Sequence, residues 1–290
     1  MTDSLQRFLF EGAPVRGELV HLDATWRAVV ERHDYPEALR VVLGEMMAAA
    51  ALLSATLKFD GSLIMQIQGS GAARLIVVEI TSDQTMRATA KWDGDLAALS
   101  FRDLVGDGRF AITIAPREAA QQTYQGIVAL EGDSVAAVLE HYMSRSEQLE
   151  TRLWLASDGA HAAGMMLQRL PGESDGDPDA WNRAVKLGET VTPHELLALP
   201  ARQIIRRLYH EEDIRVFDAR LVSFRCSCSR ERVINMLRLL GRGEVRSILA
   251  ERGRVDVNCE FCNRHYSLDR VDAEQIFAAD VVTPAGTTRH

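Results

Sequence analysis

The chain has 290 residues, of which 47% are apolar and 26% charged, with a formal net charge of −8. That is the composition of a soluble globular protein with room for one large domain and a smaller one. The negative balance argues against general nucleic-acid binding, and no apolar run reaches the roughly 18 residues that span a bilayer. The first residues, Met1-Thr2-Asp3-Ser4-Leu5-Gln6-Arg7, lack the basic and apolar regions of a secretion signal.

Asp34-Tyr35-Pro36 separates two predicted helices, a short one over 25–32 and a longer one over 36–57, with Pro36 suited to a first helical turn. The Ala-rich run 46–55 inside the second reads as a buried helix. Strand signals follow at 63–68, 75–80, 110–114 and 125–130, a helix at 134–143, and extended chain at 153–155. Strands in runs, joined by turns and not by regular helices, favour a mixed antiparallel-sheet α+β domain over residues 1–172.

Pro171-Gly172-Glu173-Ser174-Asp175-Gly176-Asp177-Pro178-Asp179 has no apolar side chain apart from its prolines, so it cannot join a core. Thr192-Pro193-His194-Glu195 is a capping box with proline at the first helical position, and Pro200 starts another helix carrying Ile204, Ile205, Leu208 and Tyr209. Residues 173–222 therefore read as a metastable helical linker whose short helices need docking.

From 223 to 290 the chain reads as a small zinc-binding module. Helices are predicted over 230–240, ending at Gly241, and over 244–251, stopped by Gly253. The only four cysteines of the chain lie here, as Cys226-Ser227-Cys228 and Cys259-Glu260-Phe261-Cys262. Two close pairs separated by one supersecondary unit have the spacing of a tetrahedral site, and four thiolates favour zinc over calcium or magnesium. Without a secretion signal, clustered thiols fit a reducing cytosol, where they bind metal or sense oxidants. The segment carries eleven arginines and nine acidic residues, and a zinc tetrathiolate brings it to about neutral, which is not a phosphate-seeking surface.

Other motifs fall away. His210-Glu211-Glu212-Asp213-Ile214 lacks the second histidine of a zinc protease, Gly69-x-Gly71 fits a hairpin turn, and there is no phosphate-binding loop for ATP. No catalytic set is assigned. His265, three residues after Cys262, is read as a surface or supporting residue and not as a ligand. Lys58-Phe59-Asp60-Gly61 and Arg145-Ser146-Glu147-Gln148 are read as turn and helix-end segments.

Taken together, these residues resemble the redox-regulated 33 kDa chaperonin family, bacterial heat-shock holdases. The resemblance runs through Val15-Arg16-Gly17-Glu18-Leu19-Val20, His33-Asp34-Tyr35-Pro36, Ser144-Arg145-Ser146-Glu147-Gln148-Leu149, Leu208-Tyr209-His210-Glu211-Glu212 and Cys226-Ser227-Cys228-Ser229-Arg230-Glu231-Arg232. It implies a non-enzymatic, ATP-independent chaperone of the cytoplasm. When reduced, one zinc per chain is held by Cys226, Cys228, Cys259 and Cys262. Oxidation forms the disulfides Cys226–Cys228 and Cys259–Cys262, releases the metal and loosens the linker. The implied partners are unfolded client proteins, a second copy when oxidised and ATP-dependent foldases downstream, with no nucleic acid and no membrane. Two other classes compete on residues alone. A zinc-ribbon nucleic-acid module would need a basic face with interleaved aromatics, and a thiol–disulfide oxidoreductase would place Cys-x-x-Cys at a helix start.

Overall fold

The structure, a computed structural model, describes residues 3–57, 59–94, 96, 99–118, 121–171 and 177–278. The chain packs as two units, Met1–Arg225 and Cys226–His290. The first begins with β1 (Ser4–Phe10), β2 (Val15–Leu22), α1 (Ala24–Val30), α2 (Glu37–Thr56), β3 (Gly61–Gly69), β4 (Ala73–Thr81), β5 (Thr85–Trp92), α3 (Phe101–Val105), β6 (Gly108–Pro116) and β7 (Tyr124–Ala129). It continues with α4 (Val135–Arg145), β8 (Thr151–Ser157), β9 (Ala162–Arg169), α5 (Ala180–Gly188), α6 (Pro193–Ala198), α7 (Ala201–Tyr209), β10 (Ile214–Val216), β11 (Arg220–Leu221) and β12 (Ser223–Phe224). The second unit holds α8 (Arg230–Leu240), α9 (Arg242–Arg252), β13 (Val255–Asn258), β14 (His265–Leu268) and α10 (Arg270–Ala278).

The expected α+β class is observed, as two six-stranded sheets. One runs β10-β1-β2-β9-β8 with β11 also on β1, and the other runs β12-β5-β4-β3-β6-β7. Within them only the short β12–β5 pair is parallel. Between the sheets lies α2, packed on β2, β8 and β9 on one side and on β3, β4 and β5 on the other. Ala48, Ala49, Ala50, Ala51 and Leu52 are all fully buried, as expected of a helix apolar all round. That is also why α2 is long and apolar enough to cross a membrane by composition, although 72% of the stretch is buried inside the protein. Small side chains let the sheets close on it. A Cβ on Gly44 would fall 2.0 Å from Ser157 Oγ on β8.

Strands β1, β2, β5 and β9 are absent from the sequence reading. The central strands β2 and β9 are buried on both faces, so neither shows the alternation that marks a half-exposed strand. β9 is also built of Ala, Gly and Met in place of β-branched residues. β3, by contrast, alternates cleanly, with Leu63, Met65 and Ile67 buried.

The helices of the predicted linker lie on the first sheet. Phe8, Phe10, Leu19, Met165 and Leu167 form one buried cluster with Ile204, Ile205, Leu208 and Tyr209. The capping box at Thr192 and Glu195 forms as read, and α7 follows Pro200. His21, buried on β2, sits 2.9 Å from the Leu196 carbonyl of α6, and burial lowers its pKa and favours the neutral ring. Residues 172–176 and Lys58 lie outside the described residues. β12 pairs with β5 at Ser223 and Thr85, and Arg225 N donates to Met86 O at 3.0 Å, which ties 223–225 to the first unit. The compact units divide after Arg225.

One group in this core is poorly accommodated. Glu18 on β2 is fully buried, and among the described residues its carboxylate oxygens accept no hydrogen bond. Burial pushes its pKa up to about 8, against the pull of Arg7, Arg16 and Arg220. A carboxyl with a folded pKa above its unfolded value stabilises fully below the ordinary carboxylate range and loses that contribution as pH rises through the folded pKa. The first unit should therefore lose stability between about pH 4.5 and pH 8. Glu18→Gln should abolish that slope, melting higher than the parent by roughly 5 °C at pH 9 with a smaller difference at pH 5. Parallel melting curves for the two proteins across this range would show that Glu18 is not the group responsible.

Candidate metal centre in the C-terminal unit

The second unit has little to hold it. Among the described residues its buried core is Val233, Leu237, Val245, Val255, Leu268, Ala273, Ile276 and Phe277. Domains this small usually need a cross-link or a metal. The four cysteines stand where one would act. Cys226 and Cys228 precede α8, whose N-cap Ser229 Oγ accepts from Arg232 N at 3.2 Å. Cys259 and Cys262 lie in the turn joining β13 to β14, which pair from Val255–Leu268 to Asn258–His265. The turn is closed by Cys259 N donating to Arg264 O and Asn263 N donating to Cys259 O, with Asn263 at φ 56°. Its amides point inward, those of Phe261 and Cys262 toward the Cys259 sulfur and that of Arg264 toward Cys262.

The sulfurs converge. Cys226 Sγ is 3.6 Å from Cys259 Sγ, Cys228 Sγ is 3.3 Å from Cys262 Sγ, and all four lie within 4.8 Å of one another. All four are free thiols, half-buried. A disulfide requires about 2.05 Å, whereas the edge of a zinc tetrathiolate is about 3.8 Å from Zn–S bonds of about 2.3 Å. The spacing is that of a metal site. Burial opposes ionisation of Cys228, but hydrogen bonds from Tyr266 and the neighbouring thiols outweigh it and bring its pKa down to about 7. Burial and its sulfur neighbours push Cys262 up to about 12. A thiolate forms readily at Cys228 while Cys259 and Cys262 resist ionisation, and a bound cation would offset the charge of four thiolates at this spacing.

All four sequence-predicted residues thus meet at one point. His265 does not join them. Its Nδ1 is 2.8 Å from Asn258 Oδ1 and its Nε2 3.3 Å from Asp256 Oδ1, the supporting role expected. Tyr266 was not foreseen. Its hydroxyl donates to Cys228 Sγ at 3.2 Å, and a tyrosine four residues beyond the last cysteine carries no motif that would have flagged it.

A family model described as Hsp33 protein matches residues 3–269. The chain belongs to the Hsp33 family. It is 53% identical over 292 residues to the 33 kDa chaperonin of Methylobacillus flagellatus, covering 100% of this chain and 99% of that relative. To the 33 kDa chaperonin of Chromobacterium violaceum it is 56% identical over 289 residues, covering 99% and 98%. The crystal structure of the 33 kDa chaperonin of Thermotoga maritima superposes with a TM-score of 0.81 at 20% identity, over 96% of this chain and 99% of that one. The last likeness shows the fold, and the first two place the chain among chaperonins. A chaperone role follows for this Hsp33 protein, and its relatives are named as chaperonins, not as enzymes.

Prepared under reducing conditions, the protein should carry one zinc per chain, and its four thiols should alkylate slowly until a chelator is added. Chelation should then unfold 226–278 while the part of the first unit before Pro171 keeps its fold. Metal content near zero by atomic absorption would remove the basis for the site.

Proposed function

We propose that the chain is a redox-regulated, ATP-independent holdase of the cytoplasm, switched by Cys226, Cys228, Cys259 and Cys262. The observation that carries this reading is the convergence of four free sulfurs, within 4.8 Å of one another, on a unit with so small a core. Zinc bound there would keep all four sulfurs as thiolates and supply the cross-link. Thiolates are the form that oxidants attack. In each pair one sulfur attacks the peroxide oxygen to give a sulfenic acid and hydroxide. The second thiolate attacks the sulfenic sulfur and displaces its oxygen as hydroxide, which takes a proton from solvent, so two electrons pass from the pair to the peroxide.

The Cys226–Cys259 and Cys228–Cys262 sulfur contacts cross between the pairs, while the resemblance pairs neighbours. The distinction matters physically. Cys226–Cys228 and Cys259–Cys262 bridges would leave the two halves of the unit untied. A structural zinc contributes roughly 10–16 kcal/mol in zinc-finger peptides, and a disulfide closing a short loop about 3 kcal/mol or less. Oxidation in this pattern removes the main stabiliser, and the second unit opens. The helices α5 to α7 would then loosen, uncovering Phe8, Phe10, Leu19, Met165 and Leu167 on the first sheet for unfolded clients. The charge of −10 on residues 1–222 supports solubility of that exposed face. We assign the oxidised form a homodimer and onward transfer of clients to ATP-dependent foldases.

Peroxide-treated protein should suppress aggregation of a heat-unfolding client, and zinc-loaded reduced protein should not. Mass mapping should find Cys226–Cys228 and Cys259–Cys262, and a dominant Cys228–Cys262 bridge would defeat the release scheme. A chain ending at Arg225 should suppress aggregation without any oxidant. If that shortened protein is folded, soluble and inert, the cysteine unit is not the regulator.

A further inference from the structure

The two sheets of the first unit end in edges of very different character. β10, β11 and β12 are stubs of two or three residues. On the β8 edge, Leu153 N donates to the Glu140 carboxylate at 2.7 Å, and Arg152 pairs with that carboxylate. Short strands and edge charges are the ordinary protections against pairing with another chain. β7 has neither. Its six residues, Tyr124-Gln125-Gly126-Ile127-Val128-Ala129, contain no charge and no proline, and they pair only with β6, without a bulge.

The ladder shows which groups are open. Leu130 N donates to Gly108 O at 3.2 Å beyond the end of the β6–β7 pairing. Antiparallel bonds alternate, so Tyr124, Gly126 and Val128 bond β6, while Gln125 and Ile127 turn N–H and C=O outward. Ala129 turns out its N–H alone, since its carbonyl accepts from Glu131 N at 2.9 Å. Apolar surface coincides with this open edge. Tyr124 is 47% exposed and Ile127 52%. Inward from Ile127 the sheet face continues through Ala111, Gln66 and Val77, an uncharged row. The strand is also held rigid. Tyr142 packs under Gly126, where a Cβ would fall 2.6 Å from its hydroxyl, and Tyr124 and Tyr142 both donate to Glu147 Oε1.

We propose that the open edge of β7 is a strand-addition site for extended, apolar segments of unfolding proteins. This rests on the holdase reading and gives it a second contact surface. Main-chain hydrogen bonds supply attraction that is independent of client sequence, and the uncharged row accepts apolar side chains. A rigid strand spares the entropy of ordering a template. A second copy of the chain is the poorer occupant, because pairing one six-residue strand falls well short of the roughly 1,200 Å² of a stable interface.

Two variants test it. Ile127→Pro removes an outward N–H and leaves the bonds to β6, which come from its neighbours. Ile127→Lys keeps the backbone and adds the charge that protects natural edges. Both should keep zinc content, thiol oxidation and melting temperature, yet after peroxide treatment require roughly tenfold more protein for equal suppression of aggregation. With carboxymethylated α-lactalbumin as a permanently unfolded probe, the amides of Gln125, Ile127 and Ala129 should gain protection from hydrogen exchange. Oxidised wild-type protein without holdase activity would sink the reading beneath. An active wild type matched by Ile127→Lys, or unchanged exchange at the three amides, would overturn the edge site alone. Protection there that grows with protein concentration in the absence of the probe would assign the edge to a second copy and overturn it too.

Discussion

Four sulfur atoms brought within van der Waals reach of one another dominate the energetics of the C-terminal unit. The eight side chains buried among its described residues are few against the conformational entropy of ordering some fifty residues. The sulfurs cannot sit together as free thiolates, because each ionisation raises the cost of the next. On the proposed reading a bound zinc makes the arrangement tenable and is held only while the sulfurs are reduced. Folding of this unit and its redox state then become one variable, and the proposed loosening of α5 to α7 depends on that coupling.

The first unit is built on the opposite principle. α2 is enclosed by two sheets, and its small residues admit the sheets to contact distance. The linker helices stand between the two regimes. They contribute real apolar burial through Ile204, Ile205, Leu208 and Tyr209, yet α6 spans six residues and α5 and α7 nine each. Helices of that length do not persist in water without a surface to dock on. His21 adds a ring N–H bond to the Leu196 carbonyl of α6, while its burial favours the neutral ring.

What the sequence disclosed follows from how chemistry is written in it. The cysteine cluster was legible because cysteines are scarce in this chain and closely spaced. Capping at Thr192, the helix stop at Gly253 and the alternation of β3 were legible because each is a local rule. The first sheet was not, because β2 and β9 are covered on both faces and their apolar residues run without period. Tyr266 escaped for a different reason. Its contact with Cys228 spans 38 residues and exists only once the hairpin is folded. The pairing of β12 with β5 was not legible, because β12 is two residues long and β5 lies far back in the chain.

The first sheet has one more consequence, for synthesis. β1 is the first strand made, yet its partners β10 and β11 end at Leu221. At 5–20 residues per second the ribosome needs roughly ten to forty seconds to supply them. During that interval Phe8 and Phe10 have no linker helices above them, and β1 lacks its outer neighbours. A nascent chain of this protein is thus, for a time, as exposed as the clients a chaperone exists to protect. Its long-range topology, with contacts closed late and across two hundred residues, leaves these apolar strands without their covers while the rest of the chain is being made.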